Sequence, residues 1–276
     1  MIMRYFLPIQ RICRAGVLVL IFSGCASTPL HTLPEWNVPM TEQVPVIDGS
    51  LDDLWAQAPL IEGLSTASDH PETPSALVTT PATEIRLLWD TNALYVFFTC
   101  WDDRIDYNET LERDDNLFKH DVCELFIDPV GDARQWMEIQ VSPIGQVLDM
   151  VYHLPVEPEI TKGGRLTERL VKQDLQGDRA WTADGMQVAT GRVMHEGRTV
   201  AWTVEMSIPA ETILAMRGMQ SFEEISLRLN LVRYDWEEDA SGQRTRNQLN
   251  WVPVLSGCPH ISPTKMGILT LINQNR

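Results

Sequence analysis

Two glutamates stand inside otherwise apolar runs, Glu124 within Asp121–Asp128 and Glu205 within Thr199–Ile208. A pair of carboxyl groups is the machinery of glycoside hydrolysis. A charge inside a strand more often has a structural partner, and Arg228 is the partner expected for Glu205. Gln140 and Asn230 are further polar residues in apolar strands and are read as candidate ligand contacts. Asp102, Asp103, Asp106, Asp114 and Asp115 crowd one connection. Carboxylates on a loop are hard-oxygen ligands of the kind calcium takes, although EF-hand spacing is absent.

The cysteines are Cys13, Cys25, Cys100, Cys123 and Cys258, with no C-x-x-C pair and no C-x-x-C-H. That spacing argues against a zinc site and against covalently attached haem. An oxidising compartment permits one disulfide, for which Cys100 with Cys123 is the preferred pair, two buried thiols being the alternative.

The elements that must position these residues read as strands. Alternating runs cover 84–89, 93–101, 121–128, 136–142 and 146–153, then 186–194, 199–208, 225–234, 249–254 and 267–272. Asp90-Thr91-Asn92 and Pro143-Ile144-Gly145 are short links suited to antiparallel hairpins. The spacing predicts an all-β fold, an antiparallel β-sandwich of jelly-roll type with long loops. Leu51–Ala58 reads as a short helical turn burying Leu54 and Trp55, and short helices are expected near 166–175 and at 210–219. Alternation places Val122, Glu124 and Phe126 on one sheet face and Cys123, Leu125 and Ile127 on the other. One of those faces is expected to be wet or ligand-facing.

The chain has 276 residues and a formal net charge of −16. A surface this acidic repels phosphate backbones, and no basic cluster with interleaved aromatics offsets it, so nucleic acid is not expected as a partner. Residues 1–24 carry Arg4, Arg11 and Arg14, no acidic residue, and an uncharged run from Ala15 to Gly24, which is the layout of a secretory signal. Ile21-Phe22-Ser23-Gly24-Cys25 resembles the lipobox of bacterial lipoproteins. The resemblance implies cleavage before Cys25, lipidation of that cysteine and, with Ala26 behind it, export to the outer membrane. Residues 25–44, rich in Pro, Thr and Ser, read as a flexible spacer. The folded domain is expected over 45–276.

Three blocks in order resemble carbohydrate-binding module family 9. They are Ile47-Asp48-Gly49 to Trp55 with Leu88-Trp89-Asp90, then Asp121 to Pro129 with Glu138 to Gly145, then Trp202 to Pro209 with Arg228 to Asp235 and Pro263 to Gly267. The resemblance implies a non-catalytic glycan-binding domain, in which Glu124 bonds sugar hydroxyls between two aromatic plates. The positions of the plates correspond to Phe118 and His260, where sugar binders of the family carry tryptophan, and Gln140 stands where they carry arginine. Trp55, Trp89, Trp202 and Trp251 are assigned to the core. Relatives bind calcium, which places Asp102, Asp103 and Asp106 as a candidate metal set; no other cofactor is required. Family 9 modules are often attached to xylanases, so a hydrolase link would be one of association, and a role in polysaccharide breakdown would follow from capture. Rival readings are a structural or assembly protein of the envelope and a haem-binding sandwich using Met150, His153 and Lys265.

Overall fold

The computed structural model describes residues 33–66, 82–219, 221–222, 225–254 and 258–273. The signal and Cys25 lie outside them. Among the described residues the chain forms thirteen strands: β1 (Glu35–Pro39), β2 (Ser65–Thr66), β3 (Thr83–Trp89), β4 (Ala93–Trp101), β5 (Val122–Asp128), β6 (Gln135–Val141), β7 (Val147–His153), β8 (Gln176–Asp178), β9 (Gln187–His195), β10 (Arg198–Pro209), β11 (Ser226–Glu238), β12 (Arg244–Asn250) and β13 (Gly267–Ile272). Two short helices, α1 (Glu168–Gln173) and α2 (Ala210–Arg217), interrupt them.

The strands form two sheets, as the alternation predicted. One has nine strands, in the order β1-β13-β11-β5-β6-β7-β8, with β12 also on β11 and β2 on β12; the other runs β3-β4-β10-β9. Their inner faces meet in one apolar core, where Cys123, Leu125 and Ile127 of β5 pack with Val96, Phe98, Val204 and Met206 of the smaller sheet. Each such aliphatic side chain contributes about 1.5–3 kcal/mol by leaving water.

The spacer is shorter than expected. Glu35–Pro39 pairs in parallel with Gly267–Ile272, Trp36 opposite Leu269, so the fold begins ten residues before position 45. This strand escapes a pattern search because EWNVP is short, polar and ends in proline. The 249–254 strand is also displaced: β12 ends at Asn250. Its alternation sets Arg244, Arg246, Gln248 and Asn250 against Thr245, Asn247 and Leu249, a period of two with almost no apolar contrast to reveal it.

The outer face of the larger sheet is not wet. Val122, Phe126, Trp136, Leu148 and Met150 pack there beneath Leu154, Leu166 and Leu170 in a second apolar cluster. Every residue of β5 is buried as a result, so of the two alternatives expected for one face, wet or ligand-facing, the wet one does not hold. The covering segment is held by a backbone bond from Leu166 N to Ile261 O at 2.9 Å and by the Arg134 side chain, whose Nε donates to Leu154 O at 2.9 Å. Thr264 Oγ1 also donates to Gly164 O at 2.8 Å.

Candidate functional site

Glu205 lies on the outer face of the smaller sheet, since its neighbours Val204 and Met206 point into the core. It does not pair with Arg228. Its Oε2 accepts from Asp48 N at 2.9 Å and Gly49 N at 2.8 Å, and its Oε1 accepts from Trp55 Nε1 at 3.0 Å. The Ile47-Asp48-Gly49 turn, Trp55 and the β10 block are thus one hydrogen-bonded unit. Gly49 is required within it: its φ is +81°, and a Cβ there would meet the Thr190 carbonyl carbon at 2.6 Å. Burial pushes the Glu205 carboxyl up despite these three donors.

Glu124 projects from the opposite outer face of the sandwich, so the inter-sheet core separates it from Glu205 and the two cannot flank one scissile bond. Glu124 is 1% exposed, and Gln140, its cross-strand neighbour, is 3% exposed. The two do not bond to each other: among the described residues Glu124 Oε2 and Gln140 Oε1 have no partner, and neither does Asn250 Nδ2 on β12. A buried polar atom without a partner costs about 1–3 kcal/mol, so these atoms form an incompletely bonded polar cluster.

Glu138 is the satisfied member of the cluster. It accepts from Gln140 Nε2 at 2.5 Å and from Tyr152 Oη at 2.9 Å. The cluster continues to Gln248, whose Nε2 donates to Asn250 Oδ1 at 3.2 Å. Burial and then the nearby Glu138 charge push the Glu124 carboxyl well above the usual range, with Arg246 offsetting part of the shift. Burial also raises Glu138, while its two donors pull the other way. Glu124 is therefore the better placed of the two to act as a neutral acid, able to donate as well as accept.

Around the cluster stand partly exposed rings. The 3-10 turn Leu117–Lys119 sets Phe118 against the outer apolar cluster, and the Phe118 carbonyl accepts from Trp236 Nε1 at 3.1 Å. The 3-10 turn Pro259–Ile261 stacks His260 on Tyr152, centroids 6.0 Å apart at 26°, and Tyr152 stacks in turn on Trp136 at 5.5 Å. Burial, then the charge of Arg165, lowers His260 and favours its neutral ring. Phe118, Glu124, Gln140 and His260 accordingly border one region.

Asn230 has a different task. Its Nδ2 donates to Val252 O and Lys265 O, and its Oδ1 accepts from Val252 N and Leu231 N, so it is consumed in holding two backbone segments. The members that sequence reasoning missed are Glu138, Tyr152, Arg246, Gln248 and Asn250. Glu138 and Tyr152 lie in strands whose alternation was already read. The other three required the correct register of β12.

The candidate calcium set does not converge. Among the described residues the carboxylates that approach within 4.8 Å of one another are Asp102, Asp121 and Asp235, not Asp102, Asp103 and Asp106. Arg233 already supplies a cation there, at 3.1 Å from Asp102 and 2.8 Å from Asp235. Asp121 accepts from Asp106 N and Trp236 N, and burial pushes it up to about 8. Asp106 is taken by Arg244 and by His120 at 2.7 Å. These residues do not fit a calcium ion. Cys100 and Cys123 do come together across the sheets, as two buried thiols with sulfurs 3.5 Å apart rather than as a disulfide. Of the residues considered for haem, Met150 packs against Gly177, and Lys265 lies along Gly164.

The chain is a two-sheet, mostly antiparallel sandwich with a polar cluster and aromatic rings on one outer face. Residues 47–142 match the family described as "Carbohydrate family 9 binding domain-like". The fold is shared with a Bacteroides uniformis protein proposed to bind carbohydrate, at TM-score 0.57 and 12% identity over 87% of this chain and all of that one. It is also shared with a family 9 module from Caldicellulosiruptor kristjanssonii. The structure of that module with cellotriose aligns at TM-score 0.54 and 16% identity, over 87% of this chain and 94% of that one. The structure with glucose aligns at 0.51 and 18%, over 87% and 97%. No curated protein sequence matches the chain.

Proposed function

We propose that this protein binds carbohydrate without acting on it chemically, from an exported, lipid-anchored position on a bacterial outer membrane, as one step in polysaccharide capture and breakdown. The observation that carries the reading is the unpartnered trio of Glu124 Oε2, Gln140 Oε1 and Asn250 Nδ2, on the sheet face bordered by Phe118, Tyr152 and His260. Sugars offer apolar C–H faces to rings and hydroxyls to such polar atoms. The ligand enters from the side where those rings are partly exposed, because the segment carrying Leu154, Leu166 and Leu170 roofs the rest of the face. Anchoring through Cys25 would confine capture to the reach of the membrane.

Calorimetry with a panel of plant, algal and peptidoglycan-derived glycans tests the reading. Binding is expected, and Phe118→Ala and His260→Ala should each weaken it by about 1–3 kcal/mol. Full binding in both variants would move the site elsewhere on the same fold. No binding to any glycan would favour the envelope-assembly role instead. Cys25→Ser should release the protein from the membrane fraction.

A further inference from the structure

Three arginines converge on the cluster without a carboxylate of their own. Arg246 lies on Tyr234, its guanidinium carbon 4.3 Å from the ring centroid, and it donates a long side-chain hydrogen bond of 3.4 Å to Gln248 Oε1. Arg179 follows β8, whose Gly177 pairs with Tyr152; it bonds to Asp114 O at 3.1 Å and to Asn116 Oδ1 at 3.2 Å. Arg165 precedes Leu166, which bonds to Ile261 beside His260, and its Nε is buried without a partner. None of the three is within ion-pair distance of a carboxylate among the described residues. Arg244 and Arg233 in the same sheet are both paired, with Asp106 and with Asp102 and Asp235.

The charges of these arginines reach the cluster: Arg246 acts on Glu124, Arg179 on Glu138 and Tyr152, and Arg165 on His260. An unpaired guanidinium presents a planar fork of N–H donors that fits an oxyanion in bidentate fashion. A neutral Glu124 beside it would donate to an anion rather than repel it.

Resting on the carbohydrate-binding reading above, we infer that the ligand is an anionic saccharide whose carboxylate or sulfate ester is held by Arg246, with its ring hydroxyls on Glu124, Gln140 and Asn250. Arg179 and Arg165 set a positive local field in a mouth that the overall charge of the chain would otherwise make repulsive.

The test is calorimetry of the full chain with three oligosaccharides of matched length: a neutral glucan, a polyuronate and a sulfated glycan. At least one anionic ligand should bind tenfold or more tightly than the glucan, with an advantage that shrinks as salt rises; which one does so separates carboxylate from sulfate. Arg246→Gln should remove that advantage and Arg246→Lys restore only part of it, while Arg198→Gln, at the start of β10 on the other sheet, should retain it in full. A neutral glucan that binds as tightly as the anionic ligands overturns this inference and leaves carbohydrate binding intact. So does an Arg246→Gln variant that keeps the preference. Failure of all three to bind overturns this inference, and the wider glycan panel then decides the carbohydrate-binding reading.

Discussion

Glu205 and Glu124 are the same residue type, each 1% exposed, each on an outer face of the sandwich, yet they are built to opposite ends. Three N–H donors close on Glu205 and leave neither oxygen free. Glu124 keeps Oε2 unpartnered beside a glutamine and an asparagine that are also incompletely bonded. A buried carboxylate that is fully satisfied locks a turn to a strand. One left incomplete within the chain carries a need that a partner from outside the chain can meet. The family resemblance spans both, so block similarity alone does not separate the residues that hold the sandwich together from those that recognise a partner.

The largest effect should come from the satisfied side. Glu205→Ala would orphan the Asp48 and Gly49 amides and the Trp55 indole N–H at once, a loss of about 3–5 kcal/mol of stability. Urea unfolding monitored by tryptophan fluorescence measures it. A loss below about 1 kcal/mol would show that the turn does not depend on this carboxylate, and the contrast would collapse.

The Glu205 unit was legible in the sequence because its parts are local signatures: a turn glycine, a tryptophan three residues past an aspartate cap, and a glutamate in an apolar strand. Only the partner was misread, since nothing in the spacing says that Glu205 faces a turn 156 to 157 residues earlier in the chain. The binding face was less legible. Glu124 and Gln140 stood out as polar residues in apolar strands, but their depth depends on the roof formed by Leu154, Leu166 and Leu170, and Leu166 and Leu170 sit in a charged stretch between β7 and β8 with no strand period. Arg246, Gln248 and Asn250 were hidden because β12 alternates polar with polar. Asn230 stood out by the same signal as Glu124, yet it serves the backbone; a polar residue in a strand announces a hydrogen-bonding need without saying who meets it.

The unsatisfied side should respond in binding rather than stability. Glu124→Gln keeps the shape and removes the ability of the carboxyl to serve as acid or anion, so glycan affinity should fall by about 1–3 kcal/mol. Urea unfolding at neutral pH should show stability unchanged or higher. Loss of stability comparable to that of Glu205→Ala would mean that Glu124 is structural too, and would erase the distinction between the two faces.

The finest test uses protons. The carboxyl of Glu124 lies well above its unfolded value of about 4.3, so between those limits the folded state binds a proton that the unfolded state has released. Its stabilising contribution is complete below about pH 4.3 and is lost as pH rises through the folded value, at no more than about 1.4 kcal/mol per pH unit. Asp121, raised to about 8, and Glu205 slope the same way and remain in the variant, so the difference between the two proteins isolates Glu124. Melting temperatures recorded from pH 5 to pH 8 should fall more steeply for the wild type than for Glu124→Gln, the two curves separating as pH rises. Parallel curves would mean that Glu124 ionises normally where it stands, in which case it meets a ligand as an anion and the preference for an acidic sugar would lose its neutral donor.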